Sequence, residues 1–432
     1  MTKLLSQLLI ALTIMVTTSL QINASPLTKE QTFEDDWGDS WDDQGEKLVY
    51  GFVEVAKGSF LDPFNLKDAP LEEIRWRIEW DQSVDDVKFT LKSDLLYDKY
   101  LSSSNLTARF REANTQYTIS HSLDIKVGRQ ILTWGTGDYV FINDLFPKDW
   151  QSFFNGRDDE YLKAPSDAIR VTYFNEVANI DFVVTPEFDS DNYLSGERFS
   201  FWQPDSGIVQ PNPPIQASKP DNDYEVAFRV FDTLEGIEWA FYGYRGFYKS
   251  PNGANSEGHV IFPRLNSLGA SIRSPFFKGL LNVEIGQYKS VDDSNGDNPL
   301  LPNSQNRFLI GYEQELLKNL NGSIQYYVEK TSDYETMLAN SFFPQQERNE
   351  TYDLITLRLT HQAFQQKLTS SFFLFYSPEE SDWHYRLKAD YRMTDSWNLS
   401  AGIYRFNGKD PYTFWSQLQN NDSVWIRVRY NY

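Results

Sequence analysis

Four histidines, His121, His259, His361 and His384, are the only imidazoles in a chain of 432 residues that has no cysteine. Imidazole and thiolate are the groups most often used as general base, nucleophile or soft metal ligand near neutral pH. His384 sits in "WHYRLKADYRM" (383–393), where cations recur along one row and disfavour a protonated imidazole. His121 and His361 fall at short polar turns, and His259 has no G-x-S-x-G elbow beside it. No H-E-x-x-H, P-loop or G-x-G-x-x-G pattern occurs. These residues predict a chain that is not an enzyme and carries neither cofactor nor metal.

The remaining chemistry lies in rows of charge. In "IRWRIEW", Arg75, Arg77 and Glu79 alternate with Ile74, Trp76, Ile78 and Trp80. In "WHYRLKADYRM", Arg386, Lys388 and Arg392 oppose Tyr385, Leu387 and Tyr391. In "DSVWIRVRYNY", Arg427 and Arg429 oppose Val424, Ile426, Val428, Tyr430 and Tyr432. Successive strand side chains point to opposite faces, so each segment has one apolar and one charged face. Arg358 extends the basic set, and Glu238, Glu284, Glu313, Glu315 and Glu329 form an acidic set on strands in between. Such rows suit the wall of a water-filled lumen, where two opposed arcs of charge orient polar solutes. They equally suit a lumen whose charges merely pair across strands.

The elements that would hold these rows follow from the same period. The chain reads as about eighteen strands, with sixteen as the alternative, joined by connections that alternate short and long. Short ones include 81–86, 175–179, 232–236, 275–279, 318–322 and 393–397. The long ones include 135–167, 186–223, 246–263, 291–305, 331–349 and 407–422. This asymmetry, with 16% aromatic residues in a polar chain, predicts an all-β transmembrane antiparallel barrel with short periplasmic turns and long extracellular loops. Its last strand would pair with its first, making the Tyr432 end a structural edge. Residues 48–432 form the expected barrel. Residues 1–24 read as a secretory signal, with Lys3, an apolar run from Leu8 to Val16 and a cut after Ala24. The acidic segment 25–47, with "FEDDWGDSWDDQGEK" at 33–47, reads as a periplasmic arm that is disordered or docks a partner. A net charge of -21 argues against nucleic acid.

Three stretches stand out from the pattern. Residues 135–165, "GTGDYVFINDLFPKDWQSFFNGRDDEYLKAP", hold Tyr139, Phe141, Phe146, Trp150, Phe153 and Phe154 beside Asp138, Asp144, Lys148, Asp149 and Arg157. So many aromatics need a surface to pack on, which predicts a constriction folded into the lumen, or else a cap outside it. The Pro-rich loop 186–223 reads as an exposed, extended excursion. In "LDIKVGRQILTWG", Arg129 falls on the apolar face with Ile125, Val127 and Ile131. A bulge at Gly128 would turn it inward; otherwise that level lies outside the hydrocarbon.

At "REANTQYTISHSLDIKVGRQILTWGTGDYVFINDLFPKDW" the chain resembles a large family of Gram-negative outer-membrane proteins of unknown function, porin-like and distantly similar to alginate-export barrels. The residues that carry it are "REA" (Arg111 to Ala113), "VGRQ" (Val127 to Gln130), "WGTGD" (Trp134 to Asp138), Asp144 and "FPKD" (Phe146 to Asp149), where relatives more usually have Asn-Pro. "APSDAIRVTYF" (164–174) completes a match of about 65 residues. The resemblance implies a single-chain outer-membrane barrel, often encoded beside RND-type exporters and periplasmic lipoproteins. The expectation is a porin-like channel for small polar or charged solutes. The alternative is a component of an export route that needs a periplasmic exporter or lipoprotein partner. Lipid, lipopolysaccharide and the barrel-assembly machinery, reading the Tyr432 end, are the other expected partners.

Overall fold

The computed structural model describes residues 49–62, 69–101, 104–221 and 223–432. The expected signal (1–24) and acidic arm (25–47) lie outside the described residues. Eighteen strands form one antiparallel sheet in which every strand pairs with its neighbours in sequence, and the sheet closes on itself. Closure joins Tyr50–Phe60 to Ser423–Asn431, with Val55 opposite Val428 and Glu54 opposite Arg429. No helix among the described residues is long and apolar enough to cross a membrane.

Period-two patterning sorts the side chains as the sequence suggests. Ile426 is 51% exposed on the outer face, whereas its neighbour Arg427 is 2% exposed on the inner one. Val55, Leu268, Ile272, Ile285 and Ile324 are likewise exposed outside. An apolar outer belt around a polar inner wall is the division that a lipid-spanning barrel requires.

Turns of two to five residues link strands at one end, five of them of two residues. Such turns need positive φ, and Asp85, Glu235, Gly236, Phe277 and Asn319 supply it. Connections at the other end are longer, apart from the four residues 378–381 between Leu368–Ser377 and Asp382–Arg392.

The expected bulge at Gly128 is not formed. Register runs unbroken through Asn114–Gly128 and Ala113–Arg129. Gly128 (φ +117°) instead admits the Ala113 carbonyl, which a Cβ would meet at 2.4 Å. Arg129 therefore keeps the outer face, at the long-connection end, where it pairs with Asp167 at 2.8 Å. The irregularity belongs to the adjacent strand Leu106–Ser120, where register shifts at Lys92/Ser93 and both Arg111 and Glu112 become buried.

If Ile426 faces hydrocarbon, Ile426→Arg should cost on the order of 2–4 kcal/mol. Equilibrium denaturant titration in lipid vesicles measures this, and an unchanged midpoint would remove that face from the lipid.

Candidate functional site

The connection between Leu123–Ile131 and Pro165–Tyr173 is built as a small folded unit. Its neck closes on itself: Asp149 N–H donates to the Leu162 carbonyl at 2.7 Å and Ala164 N–H to Pro147 at 3.1 Å. Asp149 caps the short helix Trp150–Asn155 by accepting from Ser152 N–H at 2.7 Å. The helix stops at Gly156 (φ 89°), where a Cβ would strike the Trp425 ring at 2.4 Å. A 3₁₀ turn, Asp159–Leu162, leads back out.

This segment is bonded to inward-facing side chains around the wall. Glu284 accepts from Gly137 N–H at 2.7 Å, Asn143 Nδ2 at 2.9 Å, the Thr136 hydroxyl at 3.0 Å and Thr136 N–H. Asn282 donates to the Thr136 carbonyl at 3.2 Å, and Asp138 pairs with Arg358 at 3.0 Å. Three consecutive residues then reach three different parts of the wall. Arg157 meets Glu73 at 2.7 Å and Asp98 at 2.9 Å. Asp158 meets Arg429 at 3.2 Å and Arg427 at 3.4 Å, while Asp159 meets Arg386 at 2.5 Å and Lys388 at 3.8 Å. Tyr161 accepts from Arg77 at 2.6 Å and lies 4.0 Å beneath the Arg75 guanidinium.

Aromatic packing fills the space between these contacts. Trp134, Phe146, Phe153 and Phe154 join Tyr242, Tyr288, Phe375, Phe406 and Trp425 of the wall in one buried cluster. Phe153 also lies 4.4 Å from the Arg386 guanidinium, close enough for cation–π attraction. His384 stacks on Phe406 at 4.1 Å and is held through Nδ1 by the Arg405 carbonyl at 3.0 Å.

The connection 186–224 is an exposed excursion only in its second part: the buried residues all lie within 186–200, and none of the described residues from 201 to 224, which hold most of its prolines, is buried. Phe188, Arg198, Phe199 and Ser200 are buried. Asp191 accepts from Lys148 N–H at 2.7 Å and Trp150 Nε1 at 2.9 Å, tying this strap to the inner segment. Its far side bonds Arg198 to Asp98 and exchanges hydrogen bonds between Ser200 and Asn421 at 2.8 and 3.0 Å. Hydrophobic anchors hold its first part inward: Phe199 packs on Phe60 and Phe154.

The basic residues Arg75, Arg77, Arg358, Arg386, Lys388, Arg392, Arg427 and Arg429 all take inward positions by register, and most carry a counter-charge. Arg75 and Arg77 share Asp94, and Arg427 and Arg429 share Glu54. Of the acidic set, Glu284 is engaged by the inner segment, Glu329 by Arg307 and Tyr327, and Glu313 by Arg358. Glu315 binds its own turn through Asn319 N–H, and Glu238 is exposed near the short-turn end. Residues not singled out from the sequence carry much of the network: Glu54, Glu73, Asp94, Asp98, Asp158, Asp159 and Arg198. Alternation would have placed the first four inward; nothing local marks the rest.

In structure comparison, the chain is similar to OccK5 (OpdH) of Pseudomonas aeruginosa, at 10% identity and TM-score 0.50, over 89% of this chain and 97% of that one. It is similar to OccAB1 of Acinetobacter baumannii at 10% identity and TM-score 0.50, over 89% and 96%. A triple mutant of Rhodopseudomonas blastica porin aligns at 12% identity and TM-score 0.40, over 89% and 99%. The fold is that of a porin-like barrel. No family model and no curated protein sequence matches the chain, so at this identity the likeness is one of architecture.

Electrostatics of the inner segment divide in two. Burial alone would raise Asp144, but Lys148 and Lys163 hold it below the usual carboxylate range. Asp158 and Asp159 are also buried yet held low, chiefly by Lys388 and Arg427 and by Arg386, respectively. Carboxylates held low contribute stability that is complete above about pH 4 and lost as pH falls through their folded values. Asp138 is the reverse, pushed up to about 6 by burial against the pull of Arg358. Its contribution is complete below about pH 4 and lost as pH rises through about 6. Protection of residues 132–164 from added protease should therefore peak near pH 4 and decline from there to about pH 6, and Asp138→Asn should hold it level through neutral pH. The same decline between about pH 4 and 6 in the variant contradicts this assignment. Asp144→Asn leaves two buried ammonium groups without their carboxylate, at a cost of about 3–5 kcal/mol. Cleavage inside 132–164 with the barrel still heat-modifiable is the expected readout, and an equally protected segment would show that the charge cluster does not hold it.

Proposed function

We propose that this protein is an outer-membrane channel of a Gram-negative bacterium that passes small polar or charged solutes and is narrowed by the inward segment 132–164. Its long connections face outward and its short turns the periplasm. The reading is supported by the porin-like fold and by one observation above all. The segment occupies the aromatic side of the lumen and leaves solvent-filled space on the arginine side. A cavity of about 490 Å³ lies on the long-connection side of residues 157–161, bordered by Arg157 and Tyr161. Another, of about 250 Å³, lies on the short-turn side, bordered by Asp158, Lys367, Arg392, Arg427 and Arg429. Residues Arg157 to Tyr161 stand between the two, so the ion pairs of Asp158 and Asp159 form the barrier along the route.

In planar bilayers the purified protein should give small ohmic steps. Replacing Asp158 and Asp159 together by Asn should raise conductance several-fold, and deleting 135–164 should raise it further. A folded barrel that conducts nothing in any of these forms would overturn the channel reading. Equal conductance in all three would overturn the role of the segment.

A further inference from the structure

The larger cavity is lined by guanidinium groups from five separate pieces of chain, Arg75, Arg109 with Arg111, Arg129, Arg157 and Arg198, the outward-facing Arg129 marking where it reaches the rim of the wall. Most are matched. Arg75 pairs with Glu73 at 3.1 Å and Asp94 at 2.8 Å, Arg157 with Glu73 and Asp98, and Arg198 with Asp98. Arg111 reaches only main-chain carbonyls, those of Glu160 and of Lys163 (3.0 Å), and the Tyr161 ring at 4.7 Å. Arg109 is exposed and makes no hydrogen bond or ion pair with a described residue.

Of the carboxylates nearest the cavity, Glu197 lines its wall, and Asp149 and Asp98 are already engaged. Asp149 caps its helix and accepts from Asn192 at 2.8 Å, and Asp98 holds Arg157 and Arg198. Among the described residues, Arg109 and Arg111 thus line the cavity without a carboxylate of their own. The guanidinium groups of Arg75 and Arg198, side chains 3% and 2% exposed, are fixed in the cavity wall by their carboxylates. Cations without a counter-charge of their own are met by an anionic ligand.

We propose that this cavity is a binding site for a phosphate-bearing solute, taken up from the long-connection side. The inference rests on reading the lumen as the solute route and names the class of solute. A carboxylate offers two oxygens in one plane, whereas a phosphate offers three strong acceptor oxygens and up to two charges. Donors approaching from several walls suit the second geometry, and guanidinium forks match phosphate bidentately. About 490 Å³ also exceeds what inorganic phosphate fills and falls in the range of small-molecule sites. A sugar phosphate, with hydroxyls for Asp149 and Gln151, is therefore the form tested.

Isothermal titration of the folded full-length protein in detergent, at low ionic strength, uses glucose 6-phosphate, gluconate and glucose as probes. Glucose 6-phosphate should bind saturably, gluconate several-fold more weakly, and glucose not at all. Arg109→Gln removes an exposed side chain that holds nothing in place, and should weaken glucose 6-phosphate about tenfold, the loss of one charge-assisted contact. Lys278→Gln, on a short turn, should leave it unchanged. Absence of saturable heat with glucose 6-phosphate, gluconate binding as tightly, or an Arg109→Gln affinity equal to wild type would each overturn the proposal. Potassium chloride conductance is read separately. Conductance without phosphate binding sinks this inference and leaves the channel reading intact, and phosphate binding without conductance does the opposite.

Discussion

Everything in this molecule depends on one constraint: a sheet surrounded by lipid cannot leave a strand edge unpaired, because each exposed peptide group would cost several kcal/mol. The pairing of Tyr50–Phe60 with Ser423–Asn431 meets it. Closure also brings the ends of the chain's charge pattern together. Glu54 of the first strand neutralises Arg427 and Arg429 of the last, at 3.4 and 2.7 Å. Neither partner could be placed inside a lumen without the other, since a buried charge persists only with a counter-charge and hydrogen bonds.

The same rule governs how the interior is filled. A wall that presents Arg75, Arg77, Arg386, Arg427 and Arg429 inward needs carboxylates, and it takes them from two sources. Wall strands supply Glu54, Glu73 and Asp94, and the inner segment supplies Asp158 and Asp159. Conversely, Glu284 is a wall carboxylate that collects donors from the segment, several of them main-chain N–H groups that would otherwise be orphaned. Segment and wall are therefore each incomplete alone. Aromatic rings add the packing, and several lie under guanidinium groups, so that one contact serves both burial and charge. The strap 186–224 repeats the arrangement one layer out, with Arg198 on Asp98 and Phe199 on Phe154.

What could be read from the chain reflects which interactions are periodic. Alternation in "IRWRIEW" and "DSVWIRVRYNY" has a local cause, the pleat, so strand number, facing and closure were legible from residue types alone. Gly128 misled because an isolated glycine in a strand has two physical uses, a bulge or a close backbone approach, and sequence does not separate them. The first part of the strap, 186–200, misled for a different reason. Its placement is decided by Arg198 meeting Asp98 and Ser200 meeting Asn421, partners far apart in the chain with no periodic signature. Aromatic density at 135–165 did signal burial. Which wall residues would receive Arg157, Asp158 and Asp159 was not legible, because that depends on the rotation of the segment within the barrel.

The central claim is that residues 132–164 sit against the inner wall, and cross-linking tests it most directly because the chain has no native cysteine. Phe153 of the segment lies 6.1 Å, ring to ring, from inward-facing Phe375, whereas Leu374 points to the other face. In the membrane-embedded protein, Phe153→Cys with Phe375→Cys should be joined by a short bifunctional thiol reagent, and Phe153→Cys with Leu374→Cys should not. Equal yields from the two pairs, or none from the first in a correctly folded barrel, would contradict the account.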